Sequence, residues 1–94
     1  MSELQAQFET AAAQAMNLSS RPDNDMMLKL YSLYKQSTEG DVSGKRPGFT
    51  NIVGRAKYDS WAKLKGTEQE TAMQSYVELV DQLADSGGSA GFGD

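Results

Sequence analysis

The sequence predicts an all-α domain of four helices. Four segments space their apolar side chains as an amphipathic helix does. Glycine and proline punctuate the gaps between them. No run alternates with the period of two that marks a strand, and no internal repeat is present.

The first helix spans roughly Glu3 to Met16. Leu4, Phe8, Ala11, Ala12 and Ala15 fall on one face. Ser2 is placed to cap it, with Gln5 three residues on. Asn17 to Pro22 reads as a loop. The second helix starts near Asp23 or Asn24, both good caps, and Asp25 suits the positive end of the helix dipole. It runs through Lys35 and stops before Gly40. Gly40 to Gly48 holds three glycines and a proline, and so reads as a long loop. The third helix is expected over roughly Gly54 to Lys65, closed by Gly66. Thr67 and Glu70 fit a capping box for the fourth, in which Met73, Tyr76, Val77, Val80, Leu83 and Ala84 form one arc. The domain is expected over residues 1–86, and Gly87, Gly88, Gly91 and Gly93 predict a flexible tail over 87–94.

Composition removes several functions. The 94 residues include neither cysteine nor histidine, so disulfide staples, zinc sites of the usual kind and Ser-His or Cys-His nucleophiles are excluded. Lack of cysteine favours a reducing compartment, or at least a fold that stands on its core alone. The carboxylates Asp23, Asp25, Glu68 and Glu70 sit at helix starts, where capping explains them, and form no catalytic pair. No phosphate-binding glycine loop ends in lysine-serine or lysine-threonine. A net charge of −4 argues against a nucleic-acid binder, though a local basic cluster can still grip one anion. No stretch reaches the length of a membrane span, and Met1 to Ala15 lacks the basic start and apolar run of a signal peptide.

The second helix offers more apolar surface than a core needs. On a wheel of about 100° per residue with Tyr31 at zero, Met27, Leu30 and Tyr34 lie between roughly −40° and −100°, and Leu28 and Lys35 near +60° and +40°. The first stripe suits the core. The second, Leu28, Tyr31 and Lys35, mixes an aliphatic group, a phenol and an ammonium. Two readings fit it: the edge of the core, with polar tips reaching water, or a site with an apolar floor and an anion anchor. Trp61 and Tyr34 read as core. Lys57 taken alone is a surface lysine, and Tyr76 suits core and site equally. Leu33 points away from both stripes and reads as an exposed hydrophobe or a small contact surface.

A longer pattern bears on the choice. Leu30 to Gln36, Gly40-Asp41-Val42, Arg46-Pro47-Gly48, Ala56 to Trp61, Leu64 to Thr67 and Ala72 to Val77 resemble, in order and spacing, the acyl-CoA-binding protein family. The resemblance covers about Phe8 to Leu83. It implies an up-down-down-up four-helix bundle with an open bowl that holds long-chain acyl-CoA, needs no cofactor and performs no chemistry. Tyr31, Lys35 and Lys57 match the positions that hold the ribose 3′-phosphate. Tyr76 matches an aromatic position near the adenine. Ala11 matches a small residue that lets the nucleotide approach, and Met27 and Leu28 match positions along the acyl chain. The family also implies a cytoplasmic monomer that delivers acyl-CoA to the enzymes using it, without stable membrane insertion or nucleic-acid binding. Met16 and Val53 stand where the family commonly has lysines, and Tyr58 where it commonly has tryptophan. Lys45, Arg46 and Arg55 are the basic residues placed to compensate. The two replaced lysines also motivate an alternative: a helical protein-interaction module that keeps the fold but binds acyl-CoA weakly or not at all.

Overall fold

The computed structural model describes residues 2–92, with side chains through Asp85. Four helices follow one another: α1 Glu3–Ala15, α2 Asn24–Glu39, α3 Ile52–Ala62 and α4 Gln69–Phe92. There is no strand among the described residues. The Gly-rich tail expected over 87–94 lies beyond the described side chains, and Gly93 and Asp94 lie outside the described residues altogether.

Local chemistry starts the first two helices where the sequence places them. Ser2 Oγ accepts the Gln5 N–H at 3.1 Å, and Asp23 Oδ1 accepts the Met26 N–H at 2.9 Å. Each satisfies an amide that has no partner within its helix. Gly40 ends α2 with φ of +82°, a left-handed angle that favours glycine. The third helix starts two residues earlier than expected. Asn51 caps it by accepting the Gly54 N–H at 3.0 Å, so Ile52 and Val53 become its first turn. The fourth starts two residues after Thr67, whose carbonyl instead accepts from the Gln36 side-chain amide at 2.7 Å.

The fourth helix is the hub. It packs against α1 and against α2, while α3 packs on α2. Among the described residues, α1 makes no close backbone approach to α2 or α3. Phe8 and Ala11 from α1, Leu30 and Leu33 from α2, and Ala72, Tyr76, Leu79 and Val80 from α4 form the core.

One expectation about α2 is overturned. Leu33, read as exposed or as a contact surface, is buried, whereas Met27 and Tyr34, read as core, are 39% and 41% exposed. The face of α2 turned inward carries Leu30, Leu33, Ser32, Gln36 and Ser37. Three of these are polar, so the apolar arc on the wheel does not coincide with the buried one. Local hydrogen bonds make this burial possible. Ser37 Oγ donates to the Leu33 carbonyl at 2.6 Å and Ser32 Oγ to the Lys29 carbonyl at 2.9 Å.

Gln36 also ties α2 to the turn before α4. Besides Thr67, its amide donates to Asp41 Oδ1 at 3.0 Å, and the same oxygen accepts the Gly66 N–H at 2.8 Å. The Gly66 amide, then Gln36, hold the Asp41 carboxyl below the usual carboxylate range. A group depressed in the folded state stabilises it fully above its unfolded pKa, and that stabilisation is lost as pH falls through the folded pKa. The melting temperature is therefore expected to drop as pH falls below about 4. Asp41→Asn should flatten that acid limb, and superimposable pH profiles of wild type and variant would contradict the assignment.

The long loop between α2 and α3 is pinned onto α3. Arg46 donates to both Asp59 oxygens at 2.8 and 2.7 Å. Tyr58 Oη donates to the Gly44 carbonyl at 3.1 Å, and the buried Trp61 donates from Nε1 to the Gly40 carbonyl at 2.8 Å. These bonds hold α3 at a fixed distance from α2 and leave a gap between their exposed ends.

Candidate functional site

Two adjoining cavities open on the exposed side of α2. The larger, about 590 Å³, lies between α2 and α3 and is lined by Arg21, Asn24, Met27, Leu28, Tyr31, Ile52, Val53, Ala56 and Lys57. The smaller, about 350 Å³, lies between α1 and α2: Ala12, Ala15 and Met16 form one wall, Met27, Leu30, Tyr31 and Tyr34 the other, and Tyr76 of α4 closes it. Met27 and Tyr31 line both, so the two are lobes of one bowl. The bowl exists because α1 packs on α4 and α3 on α2 without α1 and α3 meeting one another. The volume of the larger lobe falls within the range of small-molecule sites.

Most of the candidate residues come together here. Leu28, Tyr31, Met27 and Lys57 share the larger lobe, and the Lys57 ammonium sits over the Tyr31 ring at 5.3 Å from its centroid. This contact places a cation and a phenol side by side at an apolar cavity. Tyr76 is 4% exposed, and burial, then the neighbouring Tyr34, push its phenol up from the ordinary value, so it stays neutral. With Phe8 and Tyr34 it forms an aromatic cluster with centroids 5.1 to 6.0 Å apart.

Two candidates stand apart from the cavity walls. Ala11 is 2% exposed in the core, and its neighbour Ala12 is the alanine that lines the smaller lobe. Lys35 lies over the Trp61 ring at 5.0 Å and pairs with Glu39 one turn on. The hydrogen bond to Glu39 raises the Lys35 pKa above its ordinary value against the opposing effect of burial, and the ammonium persists at neutral pH. An anion that takes Lys35 must compete with Glu39, its i,i+4 neighbour on the helix, a pairing that the reading of the Leu28/Tyr31/Lys35 stripe left out.

The two replaced lysines fall at the rim. Met16 lines the smaller lobe and is 85% exposed, and Val53 lines the larger. Arg46 is engaged with Asp59. Arg21 is the cation that sequence reasoning misses. It lines the larger lobe with Lys57 and is held in place by the Pro22 carbonyl at 3.1 Å and Asn24 Oδ1 at 3.4 Å. Lying in a loop, it belongs to no periodic stripe that could flag it.

Charge separates this bowl from another large depression. A groove of about 440 Å³ between α1 and α4 is lined by Glu3, Leu4, Gln7, Gln74, Val77 and Glu78. Its two carboxylates, with no cation lining it among the described residues, disfavour a phosphate. The bowl combines apolar walls with Arg21 and Lys57 and suits an anionic amphiphile.

Known proteins resemble this chain in sequence and fold. Residues 5–80 match the family model described as Acyl CoA binding protein. The chain belongs to the acyl-CoA-binding protein family. Among its relatives in that family, the acyl-CoA-binding protein of Saccharomyces cerevisiae (strain ATCC 204508 / S288c) is 45% identical over 76 residues, 81% of this chain and 87% of the yeast protein. The acyl-CoA-binding protein of Dictyostelium discoideum is 44% identical over 77 residues, 82% of this chain and 92% of that one. The crystal structure of Oryza sativa Acyl-CoA-Binding Protein 2 superimposes with a TM-score of 0.85 at 41% identity, covering 88% of this chain and 90% of the rice chain. The all-α acyl-CoA-binding protein fold expected from the sequence is therefore the fold observed.

Proposed function

We propose that this chain binds long-chain fatty acyl-CoA esters non-covalently and serves as their carrier and buffer. The observation that carries the reading is the Lys57–Tyr31 pair set against the apolar wall of Met27, Leu28, Ile52 and Val53. An acyl-CoA is a phosphate-rich head on a long hydrocarbon, and this bowl presents the two matching chemistries side by side.

In this reading Tyr31 and Lys57 hold the 3′-phosphate, with Lys35 joining once it leaves Glu39. Ammonium groups and a phenol hydroxyl satisfy phosphate oxygens through charge-assisted hydrogen bonds. The smaller lobe takes the nucleotide between Tyr76 and the alanines of α1, Ala11 behind and Ala12 in front. The acyl chain runs along Met27 and Leu28 toward Ile52. Each buried methylene contributes about 0.8 kcal/mol, so half of a palmitoyl tail offers about 6 kcal/mol before ordering costs. That term favours long chains, and the phosphate contacts favour CoA esters over free fatty acids.

With neither histidine nor cysteine in the chain, the role is holding rather than chemistry. We place it in the cytoplasm as a monomer that hands acyl-CoA to enzymes of lipid metabolism. Equilibrium titration of the chain with palmitoyl-CoA in vesicle-free solution tests the reading, and one molecule bound per chain is expected.

A further inference from the structure

We propose that Glu39 sets the affinity of the bowl for acyl-CoA by competing, within the chain, with the ligand phosphate for Lys35. The proposal rests on the acyl-CoA reading and deepens it by naming a residue that tempers that site. Lys35 lies on α2 one turn beyond Tyr31. Tyr31 lines both lobes, whereas Lys35 lines neither. The Lys35 ammonium is held instead between the Glu39 carboxylate and the Trp61 ring, 5.0 Å from the ring centroid. Trp61 is buried and fixed by its bond to the Gly40 carbonyl, so this resting place is part of the fold. Lys57 forms no ion pair among the described residues, so the restraint is particular to Lys35.

Stability gives a poor account of Glu39. It is the last residue of α2, at the negative end of the helix dipole, where a carboxylate is disfavoured. The pair also runs in the weaker direction, with the lysine four residues before the glutamate rather than after it. The Glu39 side chain is 51% exposed, and an ion pair so open to water adds little to folding. Its effect falls on Lys35, whose charge it neutralises and whose ammonium it keeps out of both lobes. A phosphate monoester carries a charge of about −1.5 to −2 at neutral pH and three acceptor oxygens, so it can displace a single carboxylate. An acyl-CoA that takes Lys35 must break the Lys35–Glu39 pair and then lie beside the released carboxylate. Both effects weaken binding, the first by the lost pair and the second by like-charge repulsion.

The test is calorimetric titration of Glu39→Gln, which keeps the size of the side chain and removes its charge. The variant should bind palmitoyl-CoA about three- to tenfold more tightly than wild type. Palmitoyl-3′-dephospho-CoA, which lacks the phosphate that Lys35 receives, should gain much less. In a Lys35→Ala background the same substitution should lose most of its effect, because no ammonium is left to withhold. Unchanged palmitoyl-CoA affinity in Glu39→Gln overturns the proposal. An equal gain for the dephospho ester, or an equal gain without Lys35, also overturns it, since Glu39 would then act only through the general charge of the chain. Each of these results can stand beside intact wild-type binding of palmitoyl-CoA, whereas failure of the acyl-CoA reading shows as no wild-type binding, so the two fail separately.

Discussion

Replacing Lys35 and Lys57 together by alanine is expected to weaken palmitoyl-CoA binding by about a hundredfold and to leave palmitate binding nearly unchanged. A hydrogen bond to a charged partner contributes about 1.5–3 kcal/mol, and solvent exposure puts the bonds from these lysines at or below the lower end. Removing two such bonds at once amounts to about two powers of ten. The fold should survive, because neither ammonium is part of the core. Each variant gives up one cation–aromatic pairing, with Trp61 for Lys35 and with Tyr31 for Lys57, which costs little at an exposed site. The single variants should divide the effect unequally. Lys57 already stands at the cavity, whereas Lys35 must first give up Glu39. Calorimetric titration of the three variants measures this directly, and a double variant with wild-type affinity would remove both lysines from the site.

Phe8→Ala is expected to cost about 3–5 kcal/mol of stability, the usual range for emptying a buried aromatic site. Phe8 is 3% exposed and lies 5.1 Å from the Tyr76 ring and 5.7 Å from the Tyr34 ring, centroid to centroid. A domain of this size is stable by about 5–15 kcal/mol in total, so the variant should lose a large fraction of its stability. The effect also reaches the ligand. Tyr34 and Tyr76 wall the smaller lobe and are held in part by Phe8, so the end of the site proposed for the nucleotide should loosen. Urea denaturation gives the first effect and titration in native buffer the second. A destabilisation below about 1 kcal/mol would mean that the aromatic cluster is not the packing unit described.

What is legible in the sequence depends on how local its cause is. Ser2 and Asp23 announce the starts of α1 and α2 because a cap acts within three residues. Asn51 is harder to see because Ile52, Val53 and Gly54 look like poor helix formers, although the cap needs only the Gly54 amide. The inward face of α2 is misplaced by the wheel for a different reason. Gln36 is buried because the turn at Gly66 and Thr67 comes to meet it, an event about 30 residues away in the chain that no helical wheel contains. Met27 and Tyr34 look like core because they are apolar, but a binding bowl also needs apolar walls, and composition alone does not separate the two. Family resemblance joins Lys57 and Tyr31, and the structure gives that pairing a physical contact. Arg21 needs the loop to be folded before it can be counted.

Calorimetric titration of the wild-type chain with palmitoyl-CoA, CoA and palmitate in parallel tests the proposed function most directly. The bowl predicts a strict order: palmitoyl-CoA tightest, because it alone engages both the phosphate anchors and the apolar wall, with CoA and palmitate each weaker by at least about tenfold. Palmitate binding as tightly as palmitoyl-CoA, or palmitoyl-CoA not binding at all, would contradict it.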